Sequence, residues 1–229
     1  MSFRLLLVGV LVSFTVGCGS TPTAEETVST TTTHPPPSAG PIAVTVFKVD
    51  NGLLRPRVVR VPRTTAIAAA ALGALGLGAS VSIAGGTATV GLDAATQDQA
   101  AEVVYTLTQY PTVKRVDVGD RTGLTRNDFP SYTPPIFVES PAAGADVGQT
   151  FHVSGTASVF EATLVVQLVR DGTVIAKHSV TASEGAPGRG TFDTTMTATP
   201  GELTVSAFSP SAADGTPQHQ VDVPVTVTR

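Results

Sequence analysis

Hydrophobic and polar positions alternate with a period of two in the segment that begins near residue 41. Residues 42–49 and 53–61 follow this pattern and are rich in β-branched side chains, and the turn-forming triplet Asp50-Asn51-Gly52 separates them. Because successive side chains of a strand point to opposite faces, the pattern predicts two strands joined by a tight turn.

Two helices are predicted further along this segment. Residues 66–75 are rich in Ala and Leu, and we expect Thr64 or Thr65 to cap this helix and Gly76 or Gly78 to end it. Residues 93–97 open a second helix over 99–109, with one apolar face that consists of Ala100, Val103, Val104 and Leu107.

Three shorter strands complete the first folded part. Residues 81–83 and 88–92 flank Gly85-Gly86, a hairpin turn signal, and residues 113–118 alternate once more. Strands mixed with two helices predict an α+β domain over residues 41–130, with a mixed sheet and both helices on one face of it.

The pattern changes after the linker signal Tyr132-Thr133-Pro134-Pro135. Seven short apolar runs without a helical period follow, at residues 136–139, 151–154, 164–169, 173–180, 190–196, 203–208 and 221–227. Asp171-Gly172, between two of them, is the strongest hairpin signal in the chain. The sequence therefore predicts an all-β immunoglobulin-like sandwich over residues 131–229, without the cysteine pair and the tryptophan of antibody domains.

The N-terminus has the pattern of a cleavable signal peptide. Arg4 precedes an apolar run over residues 5–16, which is too short to span a bilayer. The run ends in Thr15-Val16-Gly17-Cys18, which resembles a lipobox, and Cys18 is the only cysteine. The resemblance implies that residues 1–17 are removed and that lipidated Cys18 holds the protein on the extracytoplasmic face of the cell membrane. The alternative is an ordinary secretory signal.

Residues 18–40 are rich in Thr and Pro and lack the apolar content of a core, so we expect a disordered or polyproline-like spacer. With Cys18 lipidated, no thiol remains for a disulfide, for catalysis or for a metal site.

Both folded parts resemble domains of sporulation and germination proteins. Residues 85–93 and 104–113 resemble a GerMN domain, although the segment after the first helix is shorter than is usual there. Residues 136–141, 153–163, 190–192 and 211–215 resemble the immunoglobulin-like domain of bacterial spore germination proteins, which often follows GerMN in lipoproteins. The resemblance implies an extracytoplasmic, non-enzymatic, protein-binding module.

Two sets of residues are candidates for binding a partner. Arg55, Arg57 and Arg60, followed by Arg63, form the densest basic stretch and could meet anionic polymers or lipid headgroups. The favoured alternative is that they are the solvated side of a strand. Glu161, in the family-like stretch, could orient a loop or contact a partner.

Other side chains give no sign of catalysis. Residues 41–129 carry nine basic and seven acidic groups, a net charge of +2, and residues 130–229 carry four and nine, a net charge of −5, so nucleic-acid binding is not indicated. The Asp214-Gly215 pair predicts a turn. Three histidines lack metal-ligand spacing: His152, His178 and His219. We therefore expect no enzyme activity and no cofactor, metal or nucleotide.

These features predict an envelope interaction protein, whose partner is an unknown envelope protein or a second copy of the chain. The alternative is an accessory protein that binds or processes cell-wall glycan. With three Tyr and no Trp, the chain offers few aromatic platforms for sugar stacking.

Overall fold

In a computed structural model, which describes residues 40–229, strands predominate and two helices lie in the first half. The elements of that half are β1 (Ile42–Asp50), β2 (Leu53–Val61), α1 (Ile67–Ala74), β3 (Ser80–Ala84), β4 (Thr87–Gly91), α2 (Gln97–Thr108), β5 (Arg115–Val118) and β6 (Arg121–Leu124). The predicted elements are present, and β6 is an additional strand that the sequence pattern did not indicate.

The strands of the first half form two sheets, whereas the sequence predicts one. Within the first half, β1 and β2 pair only with each other as an antiparallel hairpin, and the other four strands form a sheet in the order β3-β4-β5-β6. That sheet is mixed, as predicted, because β4 and β5 are parallel and the other pairs are antiparallel.

The hairpin is separate because α2 lies along the free edge of β1. Two side chains of α2 and that of its C-cap residue bond alternate residues of the strand: Glu102 accepts from Val49 N–H (2.8 Å), Thr106 accepts from Phe47 N–H (3.0 Å) and Gln109 donates to Thr45 C=O (2.9 Å). Side chains at a helix thus take the place of a neighbouring strand for three backbone groups of this edge.

Helix α2 is buried on almost all sides, since it packs against β1 and against β5. The predicted apolar face is buried, and so are the side chains of Glu102 and Thr106 on another face. The helix starts with a capping box in which Thr96 and Gln99 exchange hydrogen bonds with each other's backbone N–H.

The predicted cap of α1 is wrong in detail. Its N-cap residue is Ala66, which has no side-chain cap, and the Thr64 hydroxyl accepts a hydrogen bond from Ala66 N–H instead (3.0 Å). The end of the helix is as expected: Gly76 has a φ of +82°, and Leu77 N–H returns to the carbonyl of Leu72 at 3.0 Å.

The second half is a two-sheet sandwich of eight strands: β7 (Ile136–Ser140), β8 (Ala145–Val147), β9 (Thr150–Ala157), β10 (Thr163–Arg170), β11 (Thr173–Thr181), β12 (Gly190–Thr197), β13 (Gly201–Pro210) and β14 (Pro217–Val227). The sheets have the orders β12-β9-β7 and β11-β10-β13-β14-β8. The seven predicted strands are all present, with β8 in addition. Asp171 and Gly172 both have positive φ (50° and 77°), as a two-residue hairpin turn between twisted strands requires.

Each half has its own hydrophobic core, but one side chain departs from this division. Phe137 on β7 belongs to the core of the first half, while its neighbours Ile136 and Val138 face the core of the sandwich. Within residues 40–229, no helix is long and apolar enough to cross a membrane.

Candidate functional site

The predicted lipid-attachment residue, Cys18, and the predicted spacer lie outside the described residues. Arg55, Arg57 and Arg60 lie on β2 and are exposed. Arg55 pairs with Asp50 across the hairpin (3.5 Å), and Arg60 pairs with Asp146 of the second half (2.6 Å). Two of the three arginines therefore have acidic partners within the chain, and a role for them in binding another molecule stays a prediction.

Glu161 lies in a loop that presents an aromatic side chain to solvent. We call residues 158–163 the Phe160 loop. Phe160 is 69% exposed, more than any other large apolar side chain in the described part of the chain. Glu161 and Ala162 both have left-handed backbone conformations, with φ of 53° and 56°. Such conformations are costly for residues other than glycine and persist only where neighbouring structure enforces them.

The neighbouring segment that enforces this conformation is residues 182–186. Two backbone hydrogen bonds from this segment hold the Phe160 loop, Ala182 N–H to Ala162 C=O (2.8 Å) and Ala186 N–H to Val159 C=O (2.9 Å), and a third lies within the loop, Ala162 N–H to Val159 C=O (3.2 Å). Gly185 packs so closely that a Cβ there would lie 2.8 Å from the nitrogen of Ala162. The loop is therefore a fixed platform for Phe160.

A cluster of aromatic and charged side chains joins the two halves. The rings of Phe47, Tyr105 and Phe137 pack together with centroids 5.9–6.0 Å apart. The guanidinium of Arg126 lies 4.7 Å from the Tyr105 ring centroid and forms an ion pair with Glu139 of the second half. No local sequence pattern indicates this cluster, because its members are far apart in sequence and follow no motif.

Backbone hydrogen bonds along β2 also join the two halves. Val58 N–H donates to the carbonyl of Ala143 (2.9 Å), and Ala143 N–H donates to the carbonyl of Pro56 (3.2 Å). Together with the Arg60–Asp146 pair, these bonds attach the hairpin of the first half to the segment before β8.

His152, His178 and His219 lie on separate strands of the sandwich, β9, β11 and β14. His152 pairs with Asp193 (2.9 Å) and His178 contacts the hydroxyl of Thr194 (3.2 Å). Asp214 accepts hydrogen bonds from Thr216, which lower the pKa of its carboxyl, and it closes a turn as predicted. Among residues 40–229, no three His, Cys, Asp or Glu residues lie together as metal ligands.

Most of the second half matches the model of a known protein family. Residues 135–216 match the family model of the immunoglobulin-like domain of bacterial spore germination, known as Gmad2. This segment is similar to the immunoglobulin-like domains of that family. The match confirms the immunoglobulin-like prediction, and it includes the Phe160 loop. The GerMN resemblance of the first half stays a prediction.

Searches of individual proteins add little. No curated protein matches the chain. One matching solved structure is an engineered protein with 18% sequence identity over 57% of this chain and 36% of that chain. Its TM-score of 0.31 is too low to support an argument about the fold.

Proposed function

We propose that the protein is a lipoprotein that is anchored through Cys18 on the extracytoplasmic face of a bacterial membrane. There it acts as a non-enzymatic protein-binding module with a role related to sporulation or germination. The lipobox-like sequence and the Thr/Pro-rich spacer support the anchoring. The match of residues 135–216 to the Gmad2 family supports the relation to germination.

The observation that carries the binding role is the Phe160 loop. An exposed aromatic side chain on a fixed backbone can enter a partner's pocket with little loss of conformational entropy, which is typical of binding hot spots. Ala162 packs in the core of the sandwich, while the strained backbone at Glu161 and Ala162 immediately follows the exposed Phe160. Backbone strain of this kind is often associated with binding sites.

The chemistry of the loop indicates what the partner offers. Phe160 needs an apolar pocket, and Glu161 beside it favours a Lys or Arg at the rim of that pocket. Residues 130–229 carry a net charge of −5, which would also guide the approach of a basic surface. We therefore propose a protein partner in the envelope with a basic rim around an apolar pocket.

Photo-crosslinking in intact cells tests the binding role. Phe160 is replaced with p-benzoylphenylalanine, which preserves the aromatic character and forms covalent bonds to molecules that contact it. Ile175, an exposed apolar residue of the same domain on β11, is replaced in the same way as the matched control. We expect an adduct with one defined envelope protein from position 160 and none from position 175.

The identified protein is then purified and its affinity is measured. Phe160→Ala should weaken binding about tenfold or more, which corresponds to a loss of at least about 1.4 kcal/mol, while Ile175→Ala should leave it nearly unchanged. Equal affinities of the two variants would contradict the proposal. Co-sedimentation with purified cell wall that depends on Phe160, without a protein adduct, would favour the glycan alternative instead.

The anchor is tested separately. Cys18→Ala should move the protein from the membrane fraction to the soluble or secreted fraction, because the two acyl chains that give firm attachment are lost. Membrane retention equal to that of the unaltered protein would rule out lipidation of Cys18 as the anchor.

A further inference from the structure

A cavity of about 620 Å³ opens between the two halves of the described chain, beside the Arg126–Glu139 pair. Its volume is within the range of small-molecule sites, roughly 300–1,000 Å³. Both halves contribute polar groups to its wall, among them Tyr105, Arg126, Thr133, Glu139, Thr156 and Arg189. We call it the junction cavity.

Tyr105 brings a hydroxyl group to this cavity. The residue as a whole is only 5% exposed, but water reaches its hydroxyl, since among residues 40–229 the one buried side-chain polar atom without a hydrogen-bond partner is the Ser206 hydroxyl oxygen. A hydroxyl at a cavity wall can exchange its water for an oxygen of a ligand. The Tyr105 hydroxyl is therefore available to a group that enters the cavity.

Arg189 brings a guanidinium that forms no ion pair within the described part of the chain. It donates to the hydroxyl of Thr156 (3.2 Å) and to the carbonyl of Pro134 (2.9 Å), both uncharged groups. No carboxylate among residues 40–229 lies within ion-pair distance of it. A guanidinium has five N–H groups, so two are used and three remain.

Arg126 and Glu139 on the same wall already have partners within the protein. Arg126 pairs with Glu139, donates to the Thr108 hydroxyl (2.9 Å) and lies over the ring of Tyr105. The charged groups of the wall are two arginines and one glutamate, which give a net charge of +1. A ligand with one negative charge balances this wall, whereas a doubly charged phosphate would leave an excess.

We propose that the junction cavity binds a carboxylate, which the guanidinium of Arg189 and the hydroxyl of Tyr105 hold together. A guanidinium and a carboxylate are both planar and pair through two parallel hydrogen bonds, and a phenol adds a third donor. The carboxylate can belong to a small organic acid or to the C-terminus of a peptide, since both present the same group. This site adjoins the Phe160 loop, since Ser158 belongs to both, but it uses other groups and does not depend on the binding role proposed for that loop.

Calorimetric titration of the full chain tests the site with four probes. They are propionate, N-acetyl-alanyl-alanine with a free carboxylate, the same dipeptide with an amidated C-terminus, and inorganic phosphate. We expect propionate or the free dipeptide to bind and the amidated dipeptide and phosphate to bind far more weakly. Binding of propionate alone would identify a small acid as the source, and tighter binding of the dipeptide would identify a peptide C-terminus.

Two variants connect the binding to the proposed residues. Arg189→Gln should abolish it, and Tyr105→Phe, which removes one hydroxyl, should weaken it about tenfold, as expected for a hydrogen bond to a charged group. Tyr132→Phe is the matched control, because its hydroxyl bonds Asp98 outside the cavity (2.7 Å). The proposal is overturned if no probe binds, if the amidated dipeptide or phosphate binds as tightly, or if Tyr105→Phe and Tyr132→Phe behave alike.

Discussion

Polar side chains buried on α2 show how single residues determine the arrangement of the first half. Thr106 is fully buried and Glu102 is nearly so, and each accepts a hydrogen bond from a backbone N–H of β1. A buried backbone N–H without a partner is costly, so these two side chains stabilise the edge of β1 although they are not part of any sheet.

The substitution Thr106→Val tests this role. Valine has nearly the shape of threonine but cannot accept a hydrogen bond, so the N–H of Phe47 would be left unpaired. We expect the free energy of unfolding in urea to fall by about 1–3 kcal/mol. Thr122→Val, at an exposed position of β6, should change it by less than about 0.5 kcal/mol. Equal stability of the two variants would mean that water or backbone rearrangement replaces the lost acceptor.

All three tyrosines of the chain have a raised pKa in the folded protein. Burial raises the pKa of Tyr105 and of Tyr110, and for Tyr105 the nearby Arg126 partly opposes it. The hydrogen bond to the Asp98 carboxylate raises the pKa of Tyr132 to about 12. Each phenol is thus harder to ionise in the native state than in the unfolded chain, where the pKa is about 10.

This difference predicts how stability depends on pH. A raised native pKa contributes stability that is fully present below the unfolded pKa of about 10 and is lost as pH rises toward the native values. We expect tyrosinate absorbance to appear only well above pH 10 in the native protein and around pH 10 in urea. Stability should decline over the same interval. Superimposable titrations in the native and unfolded protein would refute the prediction, and the absence of Trp keeps the absorbance signal simple.

At the scale of elements, two glycines near the end of α1 have opposite roles. A Cβ at Gly73 or at Gly76 would meet nothing within 4 Å, so space does not distinguish them. Gly73 lies within the helix, while Gly76 has a φ of +82°. Backbone conformation alone should therefore decide the effect of adding a methyl group.

We expect Gly73→Ala to stabilise the protein by about 0.5–1 kcal/mol, because alanine loses less backbone entropy in a helix. Gly76→Ala should destabilise it by about 1 kcal/mol or more, because a left-handed conformation is strained for alanine. Urea denaturation of the two variants provides the measurement. Changes of the same sign would show that the helix end rearranges when it is substituted.

At the scale of the whole molecule, Phe137 couples the two halves. It lies on a strand of the immunoglobulin-like domain, but its ring contacts Phe47 and Tyr105 in the other core. The Arg126–Glu139 pair lies beside it and is largely shielded from solvent, with side-chain exposures of 28% and 20%. The Arg60–Asp146 pair is exposed and contributes at most about 1 kcal/mol.

Phe137→Ala should lower the free energy of unfolding by about 3–5 kcal/mol, as deletion of a buried aromatic ring does. It should also change the native near-ultraviolet circular dichroism of tyrosine, because the ring packs against Tyr105. Phe192→Ala, in the core of the sandwich alone, should cost stability without that spectral change. A tyrosine-monitored unfolding midpoint that Phe137→Ala leaves unmoved would disprove the coupling.

The sequence by itself determined most of the secondary structure. The period-two alternation indicated the β1–β2 hairpin, short apolar runs without a helical period indicated the seven principal strands of the sandwich, and Asp171-Gly172 indicated a two-residue turn. These predictions succeeded because side-chain periodicity and turn geometry depend on neighbouring residues. The resemblance of the second half to spore germination domains was also contained in its local motifs.

Only the tertiary structure decided how these elements combine. It separated the β1–β2 hairpin from the other sheet, and it placed Phe137 in the core of the opposite half. It also brought Tyr105 and Arg189 to one cavity across 84 positions of sequence. The physical reason is that burial, ion pairs and the hydrogen bonds of edge backbone groups depend on residues that are distant in sequence. Hydrophobic periodicity does not tell which partner each side chain meets.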